Sequence, residues 1–231
     1  MNTTEKKLLL AAFEPFGGET TNPSLEAARA MAGVEFAGAT LIVLELPVDR
    51  FAAIELASAR LRGLRPDAVI LLGQATARYR ITPERVAINV DDYRIPDNAG
   101  NQPAGEPIIE GGPVGYLSTL PIRAITDRLL RARIPAAISN TAGTYLCNRL
   151  FYCVMHLIAT EALPTIGGFI HVPYMHEQAL DKYPDVPSLS RETIVEAVRL
   201  TIDVTLGIER SIERSIDRNG EHHIGRSKNA D

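Results

Sequence analysis

Residues 41–46 read LIVLEL and residues 68–72 read AVILL. Neither run alternates strictly between apolar and polar residues. That is the pattern of strands covered on both faces, which in turn implies helices packed against both sides of a parallel sheet. Between the two runs lies a helical pattern over Phe51–Arg62, and the same alternation continues outward. Strands are expected at Lys7–Phe13, Ala39–Leu46 and Asp67–Leu72 (enclosing the two runs), Arg85–Val90, Ala136–Ser139 and Ile166–Val172. Further helices are expected at Ser24–Met31, Ile122–Ala132, Tyr145–Ala159 and Arg191–Leu206. Strands alternating with helices of 10–15 residues define an α/β fold, a single-domain three-layer α/β/α sandwich around a twisted, largely parallel mixed sheet.

Helix starts are marked. Asn22-Pro23 supplies a cap and a first-turn proline, Pro121 suits the first turn of the next helix, and Thr144 is the candidate cap for the helix after that. Residues 91–116, DDYRIPDNAGNQPAGEPIIEGGPVGY, break the rhythm. They are rich in Gly, Pro, Asn and Asp and form an excursion or small hairpin region of the kind that carries function. The catalytic α/β domain is expected to span residues 1–207. Residues 208–231 read as a charged helical extension, with Ile208, Ile212 and Ile216 on one face, followed by a flexible tail.

The 231 residues carry 24 basic and 28 acidic side chains and no tryptophan. This is not the basic footprint of a nucleic-acid binder. Lys6 and Lys7 precede a short apolar run that Glu14 and Pro15 interrupt, so the N-terminus reads as a buried strand rather than an export signal. No run approaches the ~18 apolar residues of a membrane span. Two cysteines without an export signal point to a cytoplasmic protein with neither nucleic-acid nor membrane partners.

Both cysteines fall in one helix, Cys147 and Cys153. Six residues along a helix rise ~9 Å, beyond the ~7 Å Cα separation that a disulfide tolerates. The spacing also does not suit paired zinc ligands. Cys147 lies in the first turn, where the helix dipole favours a thiolate, whereas Cys153 lies deeper among Leu150, Val154 and Leu157. Position alone leaves Cys147 either a nucleophile or a buried packing group. A nucleophilic thiol needs a base. Of five histidines, His222 and His223 lie in the polar tail, His156 falls on the polar side of the cysteine helix, and His176 sits in a loop. His171 ends the strand GGFIHVPY just before Pro173, at the carboxyl end where α/β sites gather. Spacing does not choose an orienting carboxylate among Glu14, Glu84, Asp91 and Asp92, and Glu84 on its own reads as a surface ion-pair partner.

Together the segments FEPFGGETTNPS, ITPERVAIN with RIPDN, SNTAGTYLCN and GFIHVPY resemble the type I pyroglutamyl peptidases (pyrrolidone-carboxylate peptidases), a family of cytoplasmic cysteine peptidases. The resemblance runs to about Tyr174, and the tail beyond about Thr205 is not covered. It implies hydrolysis of the amide bond after an N-terminal pyroglutamyl residue, through a thioester acyl-enzyme. It implies Cys147 as nucleophile, His171 as base and Glu84 as orienting carboxylate. Phe13 and Phe16 would clasp the lactam ring, with Asn22 and Gln74 near the pocket, backbone near Gly17 and Gly18 in close approach, and Arg94 near the scissile carbonyl. No metal or organic cofactor is required, and by analogy the chain is a homo-oligomer, a tetramer. Two departures stand out: Thr76-Ala77 replaces the usual Gly-Gly after GQA, and Ala11-Ala12 precedes FEPFGG. The first is expected to restrict that loop. A non-catalytic or altered-specificity relative and a phosphorylase-like α/β enzyme are the alternatives; against the second, FGGET is not a phosphate-binding GxxxxGK[ST] loop.

Overall fold

A computed structural model describes residues 5–180, 182 and 186–208. The elements in chain order are β1 (Lys6–Phe13), α1 (Pro23–Ala30), β2 (Ala39–Leu46), α2 (Ala52–Leu64), β3 (Ala68–Gln74), β4 (Thr82–Pro83), β5 (Val86–Ile88), β6 (Gly115–Leu117), α3 (Ile122–Arg131), α4 (Leu146–Thr160), β7 (Ile166–Val172), β8 (Tyr174–Met175), α5 (His176–Ala179), β9 (Ser188–Leu189) and α6 (Arg191–Leu206). The main sheet has the order β2-β1-β3-β7-β4. Its four long strands are parallel and β4 runs antiparallel along β7.

The period-two geometry of these strands divides the core in two. Leu8, Leu10 and Ala12 of β1, Ala68, Ile70 and Leu72 of β3, and Ile170 and Val172 of β7 pack toward α1, α3 and α6. Leu9, Ala11 and Phe13, Val69 and Leu71, and Phe169 pack toward α2 and α4. Every residue of β3 is buried, as a strand covered on both faces requires. The architecture is therefore the expected α/β/α sandwich.

The helix ends follow their local chemistry. Asn22 Oδ1 accepts the Ser24 N–H at 3.0 Å and caps α1, while Ser190 caps α6 through the Thr193 N–H. Three local expectations are corrected. The cap of α4 is Tyr145, with no side-chain hydrogen bond. Thr144 instead donates to the Asp92 carbonyl at 2.8 Å, since that loop carbonyl competes for its hydroxyl. Pro121 stands at the cap of α3, one residue before its first turn. Ala136–Ser139 forms only isolated bridges, Ala136 to Ile81 and Ser139 to Glu84. The predicted Arg85–Val90 strand is also shorter: β5 pairs with β6 in a separate two-stranded sheet.

The excursion from Asp91 is tightly tied down. Asp91 and Glu106 exchange backbone hydrogen bonds of 2.7 and 2.9 Å. The fully buried Asp91 carboxylate pairs with Arg149 of α4 and, at 3.0 Å, with Arg50. Asn148, also fully buried, holds the backbone of Ile88 and Val90. These polar anchors bring Asp92, Arg94 and Ile95 to one wall of the central cavity. Of the extension's three isoleucines, Ile212 and Ile216 lie outside the described residues.

Candidate active site

The carboxyl ends of β1, β3 and β7 open into a cavity of about 350 Å³, within the usual size range for a small-molecule pocket. Cys147 and His171 both line it, as do Phe13, Phe16, Asn22, Gln74 and Arg94. Seven of the eight residues singled out from sequence thus line one cavity. The eighth, Glu84, lies behind His171.

Strand parity explains the convergence. His171 follows Phe169 by two residues, so it points to the α4 side of the sheet. Gly73 is its direct partner on β3 and has the same facing. Cys147, the second residue of α4, comes down onto this spot. A Cβ on Gly73 would lie 3.0 Å from Cys147 Sγ and 2.7 Å from Phe169 Cζ. The missing side chain at position 73 is what gives the thiol and the Phe169 ring their room.

Glu84 arrives by a different route. On antiparallel β4, Thr82 stands opposite His171, and the Glu84 N–H donates to the Phe169 carbonyl at 2.8 Å. Two residues along an antiparallel pair places Glu84 diagonal to His171 on the same face. Its carboxylate is fully buried, and Oε1 lies 2.7 Å from His171 Nδ1. The sequence expectation of a surface ion-pair partner is corrected here: pairing with β7 takes the side chain inward. Of the other carboxylates, two are engaged elsewhere and one is exposed. Glu14 accepts from the Val48 N–H and from Asn98, Asp91 sits between two arginines, and Asp92 is exposed at the cavity wall.

The electrostatics favour a neutral resting pair. Burial pushes the Cys147 thiol up to about 12, and the Glu84 charge adds to this while Arg78 opposes it. Burial also lowers the basicity of His171, against the pull of Glu84. With Nδ1 held toward Glu84, the imidazole keeps Nε2 free for a thiol proton. Cys153 is likewise a raised, desolvated thiol, up to about 11, and it packs against the α2–α4 core.

Asn22 is buried and its amide is already used, donating to the Glu14 carbonyl at 3.1 Å and accepting from Ser24. Gln74 accepts from Gln178 at 3.2 Å and leaves Nε2 buried without a partner. Gly17 and Gly18 do not line the cavity. Both take positive φ, 63° and 83°, and turn the chain so that Phe16 comes back toward the site. Thr76 and Ala77 do line it, but neither has positive φ. Their β-carbons therefore carry no backbone penalty, and the expected restriction of the loop does not arise from strain. Ala11 and Ala12 are fully buried within β1. His156 is half-buried and meets the Tyr116 hydroxyl at 2.8 Å rather than facing solvent. His176 is exposed and bonds Ser188 at 2.9 Å, while His222 and His223 lie outside the described residues.

Sequence reasoning missed Arg78, Gly73 and Tyr145. Arg78 lines the cavity and ion-pairs with Glu84. Its available signal was its place just past the carboxyl end of β3. Tyr145 packs, with tilted rings, between Tyr93 and Phe16, with centroids at 4.5 and 6.2 Å.

A first-turn cysteine, a buried histidine–carboxylate pair and a largely apolar pocket at the ends of parallel strands define an α/β thiol hydrolase. The comparisons are specific about which one. The pyroglutamyl peptidase family matches residues 6–207. A pyrrolidone-carboxylate peptidase of Thermococcus onnurineus is 53% identical over 196 residues, covering 85% of this chain and 96% of that protein. The crystal structure of Bacillus amyloliquefaciens pyroglutamyl peptidase I superposes with a TM-score of 0.84 at 44% identity, covering 88% of this chain and 98% of the other. A mutant pyrrolidone carboxyl peptidase from Pyrococcus furiosus gives 0.84 at 43% identity, with 87% and 98% covered. The chain belongs to the pyroglutamyl peptidase family.

Proposed function

We propose that this protein hydrolyses the amide bond after an N-terminal pyroglutamyl residue, with Cys147 as nucleophile, His171 as base and Glu84 as the carboxylate that orients it. The observation that carries the reading is the convergence at one cavity of a first-turn thiol and a histidine whose Nδ1 is bound to a buried carboxylate. Family membership supports the reaction.

The pocket suits a neutral ring. A pyroglutamyl group has its amine locked in a lactam, so it offers apolar faces and amide atoms but no ammonium. Phe13 and Phe16 supply apolar walls, and a ligand carbonyl would satisfy the unpartnered Gln74 amide after a small movement of that side chain. Asn22 shapes the wall by fixing the chain between Glu14 and Ser24. Arg94, exposed at the cavity wall, is placed to approach the scissile carbonyl.

In the reaction His171 takes the Cys147 proton as the sulfur attacks the pyroglutamyl carbonyl. The carbon–sulfur bond forms, and negative charge gathers on the carbonyl oxygen. Backbone N–H groups in the uncapped first turn of α4 are the natural donors to that oxygen. His171 then gives its proton to the leaving amine as the carbon–nitrogen bond breaks. Water attacks the thioester with His171 again as base, releasing pyroglutamic acid and the thiol. Glu84 holds the imidazole tautomer and stabilises the imidazolium. No cofactor enters these steps.

The same reading takes residues 1–207 as the catalytic domain and 208–231 as an extension, in keeping with the extent of the family match. It carries a cytoplasmic location and assembly as a homotetramer by analogy. Exposed Val114 and Leu117, beside and within β6, offer apolar surface for assembly. The purified protein is expected to release a fluorophore from a pyroglutamyl amide, and Cys147→Ser and His171→Ala are each expected to abolish release. Wild-type turnover by either variant refutes the assignment.

A further inference from the structure

Arg78 ends a hydrogen-bonded turn immediately after β3, its N–H donating to the Ala75 carbonyl at 3.2 Å. Its guanidinium then spans three partners. Nη1 donates to Thr82 Oγ1 at 2.6 Å and to Glu84 Oε1. Nη2 donates to the Thr141 carbonyl at 2.9 Å. Glu84 Oε1 is thus shared by Arg78 and His171, while Oε2 is buried without a partner.

We propose that Arg78 is a positioning residue for the Glu84–His171 pair and for the loop that leads into Cys147. The proposal rests on the catalytic reading above. A fully buried carboxylate is held ionised only by a nearby cation and good hydrogen bonds. Among the described residues, Arg78 and His171 are the side chains that ion-pair with Glu84, and His171 must be neutral to act as base. Arg78 is therefore the permanent counter-charge. Its second nitrogen holds Thr141, and the following residues Ala142, Gly143, Thr144, Tyr145 and Leu146 all line the cavity beside Cys147. One planar fork fixes carboxylate and loop together, a geometry that an ammonium cannot reproduce.

The charges define a signature. The groups facing the pair are Arg78 from the turn and Cys147 from α4, with Asp92 and Arg94 also lining the cavity. Arg78 opposes protonation of His171, so removing its charge raises the affinity of that imidazole for a proton. The competent state, with His171 neutral, then requires a higher pH.

The test compares Arg78→Met and Arg78→Lys with the unaltered protein on a pyroglutamyl amide, across pH, with and without added methylguanidinium. Arg78→Met is expected to lose roughly 10²-fold in kcat, with KM changed less than about 3-fold. Its acid limb of kcat/KM moves to higher pH, and methylguanidinium restores part of the rate. Arg78→Lys keeps the charge and serves if the methionine variant does not fold. It is expected to lose kcat without the pH displacement. Unchanged kcat, a loss confined to KM, or a loss with neither pH displacement nor rescue overturns the proposal. Cys147→Ser assayed alongside separates the failures: if it retains activity, the catalytic reading itself is wrong, whatever Arg78 does.

Discussion

Gly73→Ala is the most exacting perturbation of the site, because one methyl group enters at the contact between β3, β7 and α4. Gly73 does not have positive φ, so alanine suits its backbone and the whole effect is steric. The new Cβ would lie 2.7 and 2.9 Å from Phe169 ring atoms and 3.0 Å from Cys147 Sγ. Relief to ordinary contact requires the ring to retreat by about 0.7 Å and the sulfur by about 0.4 Å, in a close-packed interior. Overpacking of this kind costs about 1–3 kcal/mol. At about 2–4 °C per kcal/mol for a chain of this size, Tm falls by roughly 2–12 °C. Catalysis should suffer more. Displacing a nucleophile by a fraction of an ångström to 1 Å lowers the rate up to about 10²-fold. The assay is kcat on a pyroglutamyl amide below the variant's melting transition, with Tm from calorimetry. A folded Gly73→Ala protein with unaltered kcat refutes the placement of the thiol over Gly73.

Two further outcomes follow from the buried charges. Because burial holds His171 below the usual histidine value of 6.5, the acid limb of kcat/KM is expected below that pH; a limb above 7 contradicts the neutral pair. The sign for stability is the same: between the depressed native value and 6.5 the unfolded chain binds more protons, so stability from this group is present above 6.5 and falls as the pH drops through that window. Asp91→Asn leaves Arg149 facing a neutral amide while Arg50 keeps its pair with Glu106, and because burial raises the Asp91 carboxyl against the pull of both arginines the expected loss is about 1–3 kcal/mol. Denaturant unfolding should show this loss; a variant as stable as the parent contradicts the anchoring of the excursion.

The sandwich was readable because its signals are local. AVILL and LIVLEL are continuous apolar runs, and β2, α6 and β7 match their sequence limits. Cys147 could be placed in a first turn because the periodicity of Leu146, Leu150, Val154 and Leu157 sets the helix, and the shift of the cap from Thr144 to Tyr145 leaves that placement intact. Glu84 and Arg78 were not readable in this way. Glu84 is buried by the antiparallel pairing of β4 with β7, a contact between residues 87 apart for the His171 bond. An arginine in a polar turn is ordinarily solvated, and only the tertiary fold brings Thr141 and Glu84 to Arg78. Ala136–Ser139 failed as a strand because β4 and its continuation offer it bridges rather than a full edge. The resemblance to a family supplied the triad where spacing had left four carboxylates open.

The mechanism requires Cys147 to carry the acyl group. Rapid quenching of the protein in acid during turnover of an activated pyroglutamyl ester, followed by intact-mass and peptide analysis, tests it directly. One pyroglutamyl group per chain is expected, thioester-linked, confined to the peptide bearing Cys147, and absent from His171→Ala protein. Acylation at Cys153, or turnover with no adduct on Cys147, would contradict it.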